Sequence, residues 1–593
     1  MSLKDVISPF YVWQRAFEKP YTQKRPIEDR PGAPRYRGFH LNSEDCVGCG
    51  TCESICQNRA IDMVAVEGLE PGLGDSGLRP RFDYGRCCWC ALCVDICTTR
   101  SLRLSNHYAW ITEDPDAFHF TAGTDAMPWN QNSLGYRRDD DYHLLVHDRV
   151  QMDALGPDES VRGFDEVMQG YTEEQAVLEA DRCVECGICV AACPAHMAVP
   201  DYIRTVRQRD YEAGLRLLYE TNPFSSTCGR ICTHRCETVC VMGYQGDPIA
   251  IRFLKRAIVD RIPRERYRDI LGDEVTENGR SVGVIGAGAG GMSAAYYLRR
   301  LGYGVTVYEA QERAGGMLRC VPSYRLPDDQ LDKDLDYIRS LGVEVRFNTQ
   351  VGRDIPFQQL LDEHDAVFLA VGLNQPSALR IKGAEHPRVL PGLQVLSDVA
   401  SGRDPGLGSK VAVIGGGNVA MDAARVSRRL GAEVTVLYRR RIEDMPADPE
   451  EIHESEAEGC TLVAQAIPVE IKNAASHDQV TIVWGEAEMV ADDKGGRPRP
   501  VLQEDRMHEE TYDCVIVAIG QGGQIDFIPS EYREQIAFKW NKFVPRDYQR
   551  TGLAKLFVGG DIANSRVDAI SAIEDGHHAA RGIHRFLSGT GDA

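Results

Sequence analysis

The chain's clearest periodic signal begins near residue 282. There VGVIGAGAGGMSAAYYLRRLGYGVTVYEA reads as an apolar strand, a glycine-rich turn, an alanine-rich amphipathic helix and a second apolar strand. The same unit recurs at 411–441, VAVIGGGNVAMDAARVSRRLGAEVTVLYRRR. Strand-length apolar runs stand at 365–372 (DAVFLAVG) and 513–520 (DCVIVAIG), and LFVGGDIANSRVDAISAIEDGHHAAR follows at 556–581. Upstream, GYTEEQAVLEADRC predicts a helix running into Cys183, whereas 105–170, with DDD at 139–141 and few periodic apolar positions, reads as linker. In CGRICTHRCETVC the cysteines recur every fourth residue, which places them on one face of a helix. Segment 281–298 is uncharged and about as long as a membrane span, but its glycines suit a nucleotide loop better, and no transmembrane helix is expected.

Cysteine placement divides the chain. Seventeen of the twenty cysteines precede residue 241; only Cys320, Cys460 and Cys514 follow. Cys46, Cys49, Cys52 and Cys56 are spaced C-x-x-C-x-x-C-x-x-x-C, and Cys87, Cys90, Cys93 and Cys97 repeat that spacing. Three closely spaced thiolates wrap one corner of a cubane, while the fourth ligates the other cluster of the pair. The expected ligand sets are therefore Cys46, Cys49, Cys52 and Cys97 for one [4Fe–4S] cluster, and Cys87, Cys90, Cys93 and Cys56 for the other. A zinc site would leave about half of these cysteines unused. The proline usual after the fourth cysteine is absent (Gln57, Thr98), and Cys88 reads as a packed bystander. A third run, Cys183, Cys186, Cys189 and Cys193, precedes the four-apart set Cys228, Cys232, Cys236 and Cys240. Eight such cysteines suffice for two further cubanes.

In the back half, Gly286, Gly288 and Gly291 form G-x-G-x-x-G, whose backbone can approach a pyrophosphate seated on a helix N-terminus. Glu309, 23 residues after Gly286, ends the next strand where a carboxylate accepts from a ribose hydroxyl. In the second unit Gly415, Gly417 and Ala420 take the fingerprint positions, with Asn418 at the helix start. The acid position is Tyr438, followed by Arg439, Arg440 and Arg441; arginines in place of an acid favour the 2′-phosphate of NADP, with Arg439 and Arg440 as the expected contacts. NAD remains an alternative.

The flanks of the first cysteine group, including RPIEDRPGAPRYRGFHL, resemble the eight-iron ferredoxin-like subunit of respiratory complex I over residues 1–105. The resemblance implies an N-terminal strap that docks on neighbouring subunits or packs on its own domain. From about residue 170 onward the chain resembles the small subunit of NADPH-dependent glutamate synthase and its relatives. These include the N-terminal part of dihydropyrimidine dehydrogenase and the larger subunit of electron-bifurcating ferredoxin:NADP transhydrogenases. That resemblance implies one cluster on Cys183, Cys186, Cys189 and Cys240 and another on Cys193, Cys232 and Cys236. Some relatives supply the last ligand from the next helix, where this chain has Lys255; a protonated lysine cannot ligate iron, so Cys228 takes the role. It further implies FAD at the first fingerprint and NAD(P)H at the second. Gly315, Gly316, Met317, Tyr324 to Pro327 with Arg325, Gly372, Gly560, Asp561 and the helix start at Asp568, Ala569 and Ile570 fall around the flavin, whose pyrimidine ring that helix would face. Cys320 departs from the family pattern.

The expected fold class is multidomain α/β and α+β. A docking arm (1–36) precedes a 2[4Fe-4S] ferredoxin-like domain (37–105), a linker (106–170) and a helical iron-sulfur domain (171–265). Two Rossmann-like dinucleotide-binding domains follow, an FAD domain (278–400 and 510–593) with the NAD(P)H domain (401–509) inserted in it. The expected function is an iron-sulfur flavoprotein oxidoreductase passing electrons between NADP(H), FAD and four [4Fe-4S] clusters, to or from a ferredoxin or a catalytic partner subunit. The family implies as partners a glutamate-synthase-like large subunit, a 2-oxoacid:ferredoxin oxidoreductase, a sulfite-reductase-type enzyme or a hydrogenase. Alternatives are a non-catalytic relay or assembly subunit and an electron-bifurcating enzyme. No catalytic acid or base is expected, because hydride transfer to flavin needs placement above all. No C-x-x-C pair, zinc-protease motif or G-x-S-x-G elbow occurs in the back half.

Composition narrows this picture without changing it. With 593 residues, 43% hydrophobic, the chain suits three to five domains, and a net charge of −21 argues against nucleic acid as partner. The first residues lack a secretory pattern, so a cytoplasmic protein is expected; the family resemblance implies that it sits within a hetero-oligomer.

Overall fold

The computed structural model describes residues 13, 15–18, 32–272, 274–474, 476, 478–491, 498–539 and 542–589. The expected docking arm 1–36 lies mostly outside the described residues. The chain forms two compact units, one comprising 1–148, 186–188 and 239–248, the other 149–185, 189–238 and 249–593.

In the first unit, His40–Asn42 pairs antiparallel with Leu102–Leu104, while Leu78–Asp83 is flanked antiparallel by Ile61–Ala65 and His119–Thr121. The last strand corrects the linker reading of 106–170. Phe120 and Trp129 are buried beside Phe39, Phe82 and Tyr84. Their irregular spacing hides them from a periodicity search, yet a small domain dense in polar cluster loops needs this aromatic core.

The second unit opens with helices. The predicted one spans Glu173–Asp181 and is held by a capping box between Thr172 and Gln175. Two five-stranded parallel sheets follow. The first has the order 556–558, 366–369, 281–285, 304–308, 344–346; the second has 389–391, 514–517, 410–414, 433–438, 461–464. The alanine-rich helix Ala289–Arg300 packs on the terminal helix Ala569–Ser588, where a Cβ on Gly576 would sit 2.3 Å from Gly290 O.

The second sheet moves a boundary. DCVIVAIG was expected to return the chain to the FAD domain at 510, but Cys514–Val517 pairs with Val411–Ile414 in the inserted sheet. It occupies there the place that Ala366–Leu369 holds beside Val282–Ile285 in the first sheet. The two runs echo each other because each is the strand next to its own fingerprint strand. The chain crosses between sheets at Gln375–Pro376, which pairs antiparallel with Gln521–Gly522.

Candidate functional site: a dinucleotide cavity beside cysteine loops

The loops holding the first two cysteine runs share one backbone design. Gly48, Gly50 and Arg59 are left-handed (φ 65°, 73° and 48°), and so are Trp89, Ala91 and Arg100 (φ 50°, 69° and 56°) in the equivalent positions. The third run repeats it at Glu185, Gly187 and His196 (φ 56°, 76° and 45°). Side chains other than glycine adopt this region at a cost, so its recurrence in three runs marks a built feature.

Within the first unit the thiols crowd one another. Cys52 lies in the electrostatic field of Cys49, Cys93, Cys97 and Cys46; Cys93 lies in that of Cys87, Cys90 and Cys56. Burial, then mutual repulsion, pushes both pKa values up. Burial likewise raises Cys87 to about 11. Crowded buried thiols become thiolates readily only beside a cation, which is what an iron cluster supplies. Cys88, expected to be packed, is exposed.

The four-apart cysteines do not share one helical face. Cys228 lies in the helix Ser225–Ile231, Cys232 caps it in extended conformation, and Cys236 sits in the short helix Arg235–Thr238. The break falls at His234, which is left-handed at φ 35°. Buried Asp334 accepts the N–H groups of Ser226 (3.2 Å) and Thr227 (2.9 Å), anchoring the first turn of the helix that carries Cys228. Lys255 is buried among Cys232, Cys228, Cys193 and Cys236. Burial alone would lower its pKa, but these thiols more than offset that and raise it.

A cavity of about 1090 Å³ lies in the second unit. Its walls include the first fingerprint (Gly286, Gly288), the start of the second fingerprint helix (Asn418, Asp422) and the cysteine loop (Ile231, Thr233, Arg235). At Gly286, with φ 101°, a Cβ would meet Ala370 O at 2.6 Å; at Gly291 it would meet Gly286 O at 1.9 Å. Gly288 has nothing closer than 4.0 Å, leaving its backbone open to the cavity. Glu309 also lines it, its carboxylate accepting from Ala287 N (2.7 Å) and Gln311 N (2.8 Å).

Gly316, Met317, Gly372, Gly560, Asp561, Asp568 and Ala569 line the same cavity, while the Ile570 side chain is buried and outside the lining set. Asp561 Oδ1 is buried without a hydrogen-bond partner. Burial raises the carboxyl to about 6, Lys542 opposes this, and the nearby Asp568 and Asp575 add to it. Such an orphaned acceptor suits a hydroxyl-bearing ligand. Asp568 accepts from Ser571 N (2.9 Å) at the start of the terminal helix and pairs with Arg235 (3.1 Å), which joins the cysteine loop to that helix. Thr233, His234 and Arg235 were not anticipated; their one sequence signal is their place between Cys232 and Cys236.

Arg325 is held by partners that the sequence did not indicate. It lines the cavity, yet its guanidinium is held by Asp422 (2.7 Å) and Glu451 (2.6 Å) of the inserted domain, whose charges outweigh the burial that lowers its pKa. It therefore fastens the inserted domain to the FAD-type half. His234 sits 3.5 Å from Asp448 and 3.9 Å from Glu450. Arg252 also pairs with Glu450 and supplies positive charge, so this group reads as an ion-pair bridge rather than a metal site.

In the second fingerprint Gly415 has φ 148° and a Cβ there would lie 2.2 Å from Ala518 O; Gly417 caps the helix Asn418–Arg429, with Ala420 buried beneath. Asn418 Oδ1 accepts from Asp448 N at 2.8 Å. Tyr438, in the acid position, packs so closely on Gly416 that a Cβ there would lie 2.5 Å from its ring. Of the following arginines, Arg439 is exposed with no side-chain partner among the described residues. Arg440 donates through Nε to Pro498 O (3.1 Å), and Arg441 is engaged by Asp444 (2.9 Å). Cys320 is the sole cysteine among the cavity-lining residues; Cys460 and Cys514 are buried in the inserted domain's core.

Residues 280–581 match the family described as "Pyridine nucleotide-disulphide oxidoreductase", residues 160–267 match "Dihydroprymidine dehydrogenase domain II, 4Fe-4S cluster", and residues 39–62 match "4Fe-4S binding domain". The "NADP(+)-dependent formate dehydrogenase subunit beta" of Moorella thermoacetica is 36% identical, covering 67% of this chain and 60% of that protein. This chain thus spans about three-fifths of that relative's length. The "Putative oxidoreductase AegA" of Escherichia coli is 28% identical over 93% of this chain and 87% of its own length. The "Glutamate synthase [NADPH] small chain" of E. coli is 30% identical over 72% of this chain and 94% of its own. Among the described residues no helix is long and apolar enough to cross a membrane.

Proposed function

The chain belongs to the pyridine nucleotide-disulphide oxidoreductase family, among its iron–sulfur members related to the glutamate synthase small chain, and from that premise we propose that it exchanges electrons between NADP(H) and a redox partner through FAD and four [4Fe-4S] clusters. One observation carries the reading: the first fingerprint, the start of the helix that follows the second, and the Cys232–Cys236 loop line the same cavity. When bound, FAD supplies conversion between hydride transfer and single-electron steps.

The chain's own residues then have distinct tasks. Gly286, Gly288 and the first turn of Ala289–Arg300 receive the FAD pyrophosphate; Glu309 and Asp561 hold FAD hydroxyls. The N-terminus of the terminal helix at Ala569 favours negative charge on the flavin. Gly415, Gly417 and Asn418 seat the nicotinamide dinucleotide, with Arg439 and Arg440 on its 2′-phosphate. Arg325, held by Asp422 and Glu451, keeps the two dinucleotides in register. The ligand sets are Cys46, Cys49, Cys52 and Cys97; Cys87, Cys90, Cys93 and Cys56; Cys183, Cys186, Cys189 and Cys240; and Cys193, Cys228, Cys232 and Cys236. Lys255 counters the charge of the last. Exposed Cys90 supports electron exit at the second set, to a ferredoxin or a catalytic subunit.

The test is anaerobic titration of the cluster-replete protein with NADPH and separately NADH, following flavin bleaching optically and cluster reduction by EPR. NADPH should bleach the flavin and then reduce several clusters; bleaching by neither nucleotide would sink the proposal.

A further inference from the structure

His40 and Tyr84 form a small closed circuit in the core of the first unit. The backbone N–H of His40 donates to Tyr84 Oη (2.8 Å), the same oxygen lies 3.0 Å from His40 Nδ1, and His40 Nε2 lies 3.3 Å from Cys93 Sγ. All three residues are buried, and the imidazole stacks on Phe82 with centroids 3.7 Å apart. The proton positions follow from this geometry. Tyr84 Oη already accepts from the backbone, and Nδ1 is the one acceptor within its reach among the described residues. If Nδ1 carried the ring proton, the phenol proton would be buried without a partner, a desolvation cost that nothing offsets. Tyr84 therefore donates to Nδ1, and the ring proton sits on Nε2, aimed at the sulfur.

We propose that His40, locked in this tautomer by Tyr84, donates an N–H···S hydrogen bond to Cys93 and raises the reduction potential of the cluster held by Cys87, Cys90, Cys93 and Cys56. The inference rests on the cluster assignment above. A reduced cluster carries one more negative charge, spread partly onto its cysteine sulfurs. A fixed donor in a low-dielectric core stabilises that state more than the oxidised one. Among the described residues no histidine hydrogen-bonds the sulfurs of Cys46, Cys49, Cys52 or Cys97, where Cys49 meets the Thr51 hydroxyl (3.1 Å) and Cys97 the Ser101 hydroxyl (3.5 Å). His40 is thus a positioning residue that favours the reduced state of the second cluster, on the side where Cys90 is exposed.

The experiment is an EPR-monitored anaerobic redox titration of the full-length, cluster-replete protein, with the relevant signal assigned by its loss in Cys90→Ala. His40→Phe keeps the stack on Phe82 but removes the donor, and should shift the reduction equilibrium of that signal about tenfold toward the oxidised form, 59 mV lower for a one-electron couple. His40→Gln restores a side-chain N–H at similar reach and should return most of the shift. Tyr84→Phe frees the tautomer and should give a smaller shift in the same direction. Unchanged potentials in both His40→Phe and Tyr84→Phe, or His40→Gln behaving as His40→Phe, would overturn the proposal. If His40→Phe fails to assemble the cluster, the Tyr84→Phe shift and the His40→Gln potential decide. Should wild-type protein show no signal that Cys90→Ala abolishes, the cluster assignment itself fails, an outcome distinct from an unmoved potential.

Discussion

The three consecutive arginines after Tyr438 differ in what already holds them, and this turns the NADP preference into a graded prediction. Arg440 is anchored through Nε to Pro498 O, which leaves both Nη groups to meet a phosphate with little further ordering. Arg439 is exposed, with no side-chain partner among the described residues, so it loses more side-chain entropy on binding; Arg441 is already occupied by Asp444. A charge-assisted hydrogen bond contributes about 1.5–3 kcal/mol, and solvent exposure favours the low end. Arg440→Ala should therefore weaken NADPH binding by about 1.5 kcal/mol, roughly tenfold. Arg439→Ala should cost somewhat less, and Arg441→Ala should change little. NADH, lacking the 2′-phosphate, should be indifferent to all three. The assay is rapid-mixing measurement of flavin bleaching at varied NADPH and NADH, at two salt concentrations, because the phosphate contribution should shrink with ionic strength. A parallel loss of NADH affinity in Arg440→Ala, or an Arg441→Ala defect as large as Arg440→Ala, would refute the reasoning.

Further outcomes follow from the same geometry. Cys228→Ala should lose one cluster's iron on chemical analysis whereas Cys88→Ser keeps it all; equal iron in both variants would remove Cys228 from the ligand set. Gly291→Ala, which brings a Cβ to 1.9 Å from Gly286 O, should purify without FAD, read directly from its absorption spectrum. Glu458→Gln leaves Arg425 and Arg429 buried with weakened partners (2.6 Å each in the wild type) and should destabilise the inserted domain by about 3–5 kcal/mol in denaturant unfolding. In FAD-free protein the raised Asp561 carboxyl, at about 6, binds its proton more tightly folded than unfolded. Stability from this group is thus greatest at low pH and is lost as pH rises through about 6. Asp561→Asn should remove that dependence, leaving the FAD-free variant about 2–3 kcal/mol more stable than wild type at pH 8 and nearly equal at pH 4. A constant difference across that range would contradict it.

Much of the site was legible in the chain because its chemistry is local. Three C-x-x-C-x-x-C-x-x-x-C runs, each needing the same left-handed positions, and two strand–glycine–helix units announce themselves over a dozen residues. The orphaned acceptor at Asp561 falls at the end of the short strand Leu556–Val558, where the family pattern pointed.

What sequence could not supply was the choice of neighbours. DCVIVAIG and DAVFLAVG look alike because each lies beside a fingerprint strand, and only strand pairing decides which sheet receives which. The fourfold spacing from Cys228 to Cys240 suited one helix, until His234 took a left-handed conformation and turned Cys232 and Cys236 out of that line. Arg325 matched a flavin-site pattern, but the carboxylates that hold it come from Asp422 and Glu451, about a hundred residues away in sequence. Nor does any spacing connect His40 with Tyr84 and Cys93, which the strand pairing and loop packing of the first unit bring within hydrogen-bond reach. Sequence alone thus determined which chemistry the chain carries, since backbone turns and ligand spacing act over a few residues. Tertiary structure decided which charges and hydrogen bonds tune that chemistry, because those partners meet only when distant segments are buried together.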